Sequence, residues 1–214
     1  MKYNKKLLTP AILAVSIYLV SYQVPKFLVS IDRCFILETS IDRLIPFHTP
    51  AFVIYFLAFL QWLNAILITC KQETNKGYKL FSGFIIGSII GFIIYMVFPT
   101  AINRPHFEAV TIFDKFAKFI FSVDNVINAC PSFHCYCSTY VLLVLKNSDN
   151  TSNKTYKLNV IFSILVFLST LFTKQHSIID VPCGILLAYV SNVLASKISF
   201  SNIFEKINNS LNIK

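Results

Sequence analysis

Long apolar runs alternate with short polar segments along the whole chain. Six runs stand out, at residues 7–24, 50–69, 80–98, 131–145, 158–173 and 179–196. A helix needs about 20 apolar residues to cross roughly 30 Å of hydrocarbon, and the first three runs and the last come close to that length. The fourth and fifth runs are shorter, so we expect less apolar residues to extend them. No run alternates as a strand would, and backbone groups in lipid must be bonded within their own segment, so all six predict helices.

Prolines mark several ends of these runs. Pro50 begins the second run, Pro99 follows the third, and Pro131 opens the fourth, where a first-turn proline is well tolerated. The sequence therefore predicts an all-α, polytopic membrane protein in which residues 1–214 form a single domain, one bundle of six transmembrane helices. No small-x-small cleavage site follows the first run, so we expect an uncleaved span there and not a removed signal peptide.

The composition agrees with a membrane protein. Hydrophobic residues make up 55% of the 214 and charged residues only 14%, whereas soluble domains carry about 25% charged residues. The net charge of +9 comes from lysines in short clusters between the apolar runs. A nucleic-acid-binding protein needs a continuous basic patch or stripe. We therefore expect membrane lipids around the protein and no nucleic-acid partner, and no protein partner is inferred.

The distribution of charge predicts the orientation in the membrane. Six spans place both termini on one side, which then holds 12 of the 19 Lys and Arg residues and 3 of the 10 Asp and Glu residues. The net charge of that side is +9, and the other side, with 7 cations and 7 acids, has a net charge of 0. Because positively charged loops stay in the cytoplasm, both termini are expected to be cytoplasmic. All four histidines then map to the extracytoplasmic side or its border.

Two of these histidines are candidate catalytic residues. His134 heads the fourth run and His176 ends the fifth, so the two lie at the same membrane depth if the helices are neighbours. Asp180 follows His176 by four residues, and that spacing places both on one face of a helix. A carboxylate beside an imidazole fixes its tautomer and stabilises its cation. The alternative is a structural His–Asp pair, with Asp180 capping a helix.

Three further residues on this side are candidate anion ligands. Arg104 offers a planar fork that suits phosphate oxygens, although a lone interfacial arginine also reaches lipid headgroups in many membrane proteins. Ser132 and the free backbone N–H groups at the start of the fourth helix favour negative charge. Lys174 adds a cation two residues before His176. Together these residues suit phosphoryl transfer, which needs a nucleophile, an acid and donors around the phosphate.

A metal site is a competing interpretation. Zinc ligands are available at Cys130, His134, Cys135 and Cys137. Cys135 and Cys137, however, should point to different faces of the helix. We therefore expect no metal and no cofactor.

A non-enzymatic membrane protein, such as a transporter, is another alternative. Transporters often show inverted repeats and spans broken by Gly or Pro, and neither is present here. The glycines of the third run are better explained as a face for close helix packing, at Gly83, Gly87 and Gly91.

Residues 80–190 resemble the type-2 phosphatidate phosphatase superfamily, the lipid phosphate phosphatases related to vanadium chloroperoxidase. That family carries the motifs K-x6-R-P, P-S-G-H and S-R-x5-H-x3-D. The corresponding segments here are VFPTAINRP, PSFH and STLFTKQHSIID. The order of the motifs and the spacing from Ser169 to His176 and on to Asp180 match.

The resemblance implies a role for each candidate residue. His176 would be the nucleophile that forms a phosphohistidine, Asp180 would orient it, and His134 would be the general acid for the leaving group. Arg104, and Ser132 with its neighbouring amides, would hold the phosphate. The resemblance also implies that the protein needs no metal cofactor.

Three departures from the family motifs bear on the reaction. Val97 stands where the first motif has Lys, Phe133 where the second has Gly, and Thr170 where the third has Arg. Two cationic phosphate ligands are therefore missing, and Lys174, a turn from Thr170, is a candidate substitute for one. A site without the third-motif Arg also resembles the sphingomyelin and inositol-phosphorylceramide synthases, which pass a phospho-headgroup to a lipid alcohol. That lipid phosphotransferase activity is the alternative to hydrolysis.

The position of the site favours a lipid phosphate substrate. An active site at a membrane border, beneath two short helices, can be reached laterally by a lipid headgroup. Residues 35–50 lie on the same side and mix apolar with charged residues, so they are expected to lie in the interface and cover the site. We expect the protein in a plasma membrane, with a bacterial one favoured, and the active site on the extracytoplasmic face.

Overall fold

In a computed structural model that describes residues 3–148 and 151–213, helices make up 70% of the described residues. The charged residues Lys2, Asp149 and Lys214, which count in the predicted cytoplasmic charge, lie outside the described residues. The helices are α1 (Leu8–Leu28), α2 (Ser40–Leu44), α3 (Ala51–Thr69), α4 (Thr74–Val97), α5 (Ile112–Val123), α6 (Phe133–Lys146), α7 (Asn153–Phe172), α8 (Asp180–Leu194) and α9 (Ser201–Ser210). Short 3-10 helices cover Lys5–Leu7 and Ile31–Arg33.

Four helical segments of the described chain are long and apolar enough to cross a membrane. They are Lys5–Leu28, Ala51–Thr69, Thr74–Val97 and Asn153–Phe172. The other two apolar helices are shorter, with 14 residues in α6 and 15 in α8. The apolar runs thus form helices as predicted. By length and composition, four of the described helical segments are candidate spans, whereas the sequence predicts six.

Helix α6 is both short and enclosed by protein. Of its 14 residues, 12 are buried, and it packs against α3, α7 and α8. A helix that contacts its neighbours at nearly every position needs no long lipid-facing surface.

The predicted close-packing glycines lie at the contact between α4 and α6. An added Cβ at any of the three would stand 2.3 Å from an aromatic side chain of α6, at the pairs Gly83–Tyr140, Gly87–Tyr136 and Gly91–Phe133. The absence of side chains therefore lets the α6 rings pack directly against the α4 backbone, as expected of a face for close packing. The buried hydroxyl group of Tyr136 has a hydrogen-bond partner, because it donates to the Phe84 carbonyl at 2.8 Å.

The two ends of the bundle gather different segments. At one end the backbone N–H of Asn4 donates to the Cys70 carbonyl at 2.8 Å, and the Asn208 side chain of α9 donates to the Lys6 carbonyl at 2.9 Å. The other end holds the connections on either side of α5 and the turn between α7 and α8. There β1 (Phe35–Ile36) pairs in parallel with β2 (Thr100–Ala101).

Helices α5 and α9 are absent from the predicted elements. In α5 the lysines interrupt the apolar run, so its length falls below that of a span. Its start has a clear signal, a capping box between Thr111 and Asp114. Asp114 also accepts a hydrogen bond from the Thr49 hydroxyl at 2.7 Å, which ties α5 to the start of α3. The bonds from Thr49 and Thr111 lower the pKa of Asp114 to about 2.

Candidate active site

The start of α6 is fixed against the start of α8. Ser132 is the N-cap of α6, and its hydroxyl oxygen accepts from the Cys135 N–H at 3.3 Å. Its own N–H donates to the Asp180 carbonyl at 3.1 Å. Gly184 allows this contact, since an added Cβ would stand 2.3 Å from the Ser132 carbonyl oxygen. The predicted anion site at Ser132 is therefore adjacent to Asp180, with its hydroxyl engaged in capping the helix.

His176 lies in the turn after α7. The prediction that it ends the helix is wrong, because α7 ends at Phe172 and Lys174 adopts a left-handed backbone with φ of 52°. The His176 Nδ1 is 2.7 Å from the Ala129 carbonyl oxygen. A carbonyl only accepts, so Nδ1 carries a hydrogen, and in the neutral ring Nε2 then keeps its lone pair. The imidazole is thus held in the tautomer that a nucleophile at Nε2 requires.

Asp180 begins α8 and is completely buried. One carboxylate oxygen accepts from the Ser177 N–H at 2.7 Å and lies 3.5 Å from the His176 Nδ1. The second distance is longer than an ordinary hydrogen bond, so the Ala129 carbonyl is the nearer partner of the ring. The other carboxylate oxygen has no hydrogen-bond partner among the described residues. Asp180 therefore stabilises the turn and also places a negative charge beside His176.

His134 is enclosed by aromatic side chains of α3. Its ring stacks on Tyr55 with the ring centres 3.8 Å apart, and the Trp62 ring lies 4.9 Å away. Its Nε2 is buried and meets no hydrogen-bond partner in the described part of the chain. Buried polar atoms without a partner are rare in proteins and call for an explanation. The centre of the His134 ring is 6.3 Å from that of His176, so the two predicted catalytic histidines are neighbours.

Arg104 is held by protein oxygens. One terminal nitrogen donates to the carbonyls of Phe121 and Asp124, and the other donates to the Asn125 carbonyl and the Gln175 side chain. Within the described residues its Nε has no partner. Arg104 thus joins the end of α5 to the residue before His176.

Lys174 connects the turn of His176 to residues 35–50. Its Nζ donates to the Asp42 carbonyl at 2.6 Å, and the Asp42 carboxylate accepts from the Ile178 N–H at 2.7 Å. Burial raises the pKa of Asp42, but hydrogen bonds from Thr39 and Ile178 outweigh burial, so this pKa lies below its ordinary value. The predicted covering segment is therefore fastened on both sides of His176.

The positions that depart from the family motifs have other contacts. Val97 has 77% of its surface exposed, the Thr170 hydroxyl donates to the Phe167 carbonyl at 2.7 Å, and Phe133 fills the space at Gly91. Across residues 3–148 and 151–213, no group of three or more His, Cys, Asp or Glu side chains is placed to hold a metal ion.

The structure adds a buried lysine that the sequence analysis did not single out. Lys26 of α1 pairs with Asp124, with its Nζ 3.6 Å from the centre of the Tyr22 ring. The Tyr22 hydroxyl donates to the same carboxylate at 3.2 Å, and an Arg104 nitrogen lies 3.8 Å from it. The sequence does contain a signal for Lys26, a lysine just after the first apolar run. A charge near membrane depth usually has a function.

An all-helical bundle with two histidines and a carboxylate at one end defines a candidate phosphoryl-transfer enzyme. A family model described as the PAP2 superfamily matches residues 28–194, so the chain belongs to the type-2 phosphatidate phosphatase superfamily. The resemblance predicted from the motifs is thereby confirmed. Neither the curated proteins nor the solved structures gave a match. Membership supports a phosphatase acting on phosphate-bearing substrates, and the long apolar helices agree with a membrane protein.

Proposed function

We propose that the protein is a lipid phosphate or lipid pyrophosphate phosphatase that works through a phosphohistidine on His176. The hydrogen bond from His176 Nδ1 to the Ala129 carbonyl carries this proposal, because it leaves the Nε2 lone pair available for attack. His134 lies beside it with an unpartnered ring nitrogen among the described residues, as expected for a proton donor.

The reaction has two steps. In the first, His176 Nε2 attacks phosphorus, the bond from phosphorus to the lipid oxygen breaks, and His134 gives its proton to that oxygen. In the second, water attacks the phosphohistidine, His134 takes a proton from the water, and the N–P bond breaks to release phosphate. The Asp180 carboxylate stabilises the positive charge that His176 carries between the two steps.

Arg104, Ser132 and Lys174 are the proposed phosphate ligands. Arg104 and Lys174 donate to protein oxygens, and the Ser132 hydroxyl accepts from the Cys135 N–H. When the substrate phosphate binds, it replaces some of these hydrogen bonds. The same exchange would release residues 35–50 from Lys174. We therefore propose that this segment covers the site and opens when the lipid headgroup enters.

We further propose that residues 1–214 form one domain of six spans with cytoplasmic termini and an extracytoplasmic site. The charge difference across the membrane supports this orientation. A reporter fused to the C-terminus tests it. If a reporter enzyme that works only outside the cell is active at the C-terminus, the proposed orientation is wrong and the site faces the cytoplasm.

A lipid phosphotransferase is the second candidate function. The exposed fraction of His134 is 6% and that of His176 is 7%. A closed site limits access of water to the phosphohistidine, and a lipid alcohol would then be the acceptor in the second step. Dependence of turnover on an added lipid alcohol distinguishes transfer from hydrolysis.

The experiment is phosphate release from a panel of lipid phosphates by the protein purified in detergent. The panel contains a phosphatidate, a phosphatidylglycerol phosphate and a polyprenyl pyrophosphate. We expect release by the wild type, loss in His176→Ala, and no change in His106→Ala, a matched control at an exposed histidine. Labelled substrate should leave an acid-labile phosphohistidine in the wild type. A folded wild type that turns over no lipid, with or without an acceptor, would refute both candidate functions.

A further inference from the structure

The ion cluster beneath the candidate site has more positive than negative charge. Lys26 and Arg104 share the carboxylate of Asp124, and the exposed fractions of the three side chains are 6%, 10% and 18%. The cluster therefore carries a net charge of +1. Removing a charge from water is costly unless an opposite charge compensates it. A bound anion would supply the missing negative charge.

The cluster also lies next to the candidate catalytic residues. Arg104 bonds to Gln175, the neighbour of His176 in the chain. A pocket of about 440 Å³ opens beside the cluster, and Lys26, Arg104 and residues 121–126 form part of its wall. An anion in this pocket would lie against the cluster, one of whose members, Arg104, bonds to the residue before His176.

The position that carries a lysine in the family motif is occupied by Val97 in this protein, so it supplies no cation to bind an anion. Val97 is mostly exposed at the end of α4, so its side chain contributes nothing to the charge of the site. Lys26 enters the ion cluster from α1, a different helix. Its pairing with Asp124 joins residues 98 positions apart in the chain.

We propose that Lys26 binds the phosphate of the substrate together with Arg104, and that Asp124 holds both cations in place until the phosphate replaces it. This inference rests on the proposed function, since it names a ligand of the same site. Asp124 acts as a positioning residue, because it contacts the cations and not the reacting atoms. Orthophosphate and the phosphate of a lipid share the chemistry that this subsite recognises.

The first test compares phosphate binding in matched variants. Trp62 is the single tryptophan of the chain, and its ring lies 4.9 Å from that of His134, so its fluorescence reports on the site. The titrant is inorganic phosphate. The variants are Lys26→Met, which removes the charge, Lys26→Arg, which keeps it, and Lys115→Met, which removes an exposed charge of α5 as a control.

We expect Lys26→Met to weaken phosphate binding by about 10-fold or more, because a hydrogen bond to a charged group is lost. Lys26→Arg should stay within about threefold of the wild type, since charge and donors remain. Lys115→Met should bind phosphate as the wild type does. The KM for the lipid phosphate should follow the same order.

The double variant Lys26→Met/Asp124→Asn separates binding from folding. If Lys26 only neutralises a buried carboxylate, removing both charges restores thermal stability and also phosphate binding. Under our proposal it restores stability while phosphate binding stays weak. A double variant that binds phosphate and hydrolyses lipid phosphate like the wild type would overturn the inference and leave the phosphatase function intact. Conversely, phosphate binding that depends on Lys26 in a protein that hydrolyses no lipid phosphate would support the subsite and refute the proposed function.

Discussion

Replacement of Asp180 by Asn tests whether its charge assists the reaction or whether the side chain only caps a turn. Asn keeps the shape of the side chain, and its carbonyl oxygen can still accept from the Ser177 N–H, which lies 2.7 Å away in the wild type. The substitution therefore removes the negative charge beside His176 and leaves the turn intact. Because one carboxylate oxygen of Asp180 has no partner among the residues described, loss of the charge should cost little stability.

The distance from Asp180 to His176 sets the magnitude. Two unit charges 3.5 Å apart interact by about 5 kcal/mol at an effective dielectric constant of about 20. Phosphorylated His176 spreads its positive charge over the ring, so only part of this energy acts in the transition state. We expect kcat to fall by about 100- to 1,000-fold, equivalent to roughly 3–4 kcal/mol.

The assay is phosphate release from the best lipid substrate, with thermal unfolding measured on the same preparations. Asp32→Asn is the control, because it removes an exposed carboxylate from a connection at the same end of the bundle. The KM of Asp180→Asn should change little, since the carboxylate does not bind the substrate. If kcat of Asp180→Asn stays within about threefold of the wild type while His176→Ala is inactive, Asp180 serves only the turn and our reasoning is refuted.

Three other predictions concern packing, the covering segment and pH. Gly87→Ala should lower the free energy of unfolding by about 1–3 kcal/mol, because its Cβ would stand 2.6 Å from the Tyr136 ring. Tyr136→Ala should then reduce stability less in the Gly87→Ala protein than in the wild type. Additive effects of the two substitutions on stability would contradict this contact. Asp42→Ala should speed protease cleavage within residues 35–50 several-fold, because the bond to the His176 turn is lost, and unchanged cleavage would argue against an opening segment. The hydrogen bonds to Asp114, whose pKa is about 2, should stabilise the protein above the unfolded value of about 3.9 and lose this effect as the pH falls towards 2. Asp114→Asn should reduce this acid dependence of the unfolding temperature, and an identical pH profile in the variant would refute it.

Much of the bundle could be predicted because apolar runs determine membrane helices. The second run, 50–69, corresponds to α3 at Ala51–Thr69. Helix α4 begins at Thr74, six residues before its apolar run, since a helix can continue beyond the apolar residues that mark it. Helix α5 lacked a signal of this kind, because its lysines interrupt the pattern. The pairing of β1 with β2 involves two residues in each strand, which is too short for a periodicity.

The parts of the candidate site that consist of reactive side chains could be predicted from the sequence. The antiparallel order of two runs predicted the same membrane depth for His134 and His176 if their helices are neighbours, and the two rings lie 6.3 Å apart. The partner of His176 could not be predicted, because any residue supplies a backbone carbonyl and Ala129 gives no signal of its own. The pairing of Lys26 with Asp124 was equally hidden, since only the packing of α1 brings these two positions together.

The shortness of α6 makes the thickness of the bilayer a variable of the reaction. A helix of 14 residues is about 21 Å long at 1.5 Å per residue, while the hydrocarbon layer is roughly 30 Å thick. If its far end lies at the interface opposite the site, the end that carries His134 lies about 9 Å below the nearer edge of that layer. Because α6 is enclosed by other helices, the headgroup must descend between them to meet the site. Reconstitution in lipids of graded acyl-chain length should therefore give faster turnover in bilayers of short chains, where that descent is shorter.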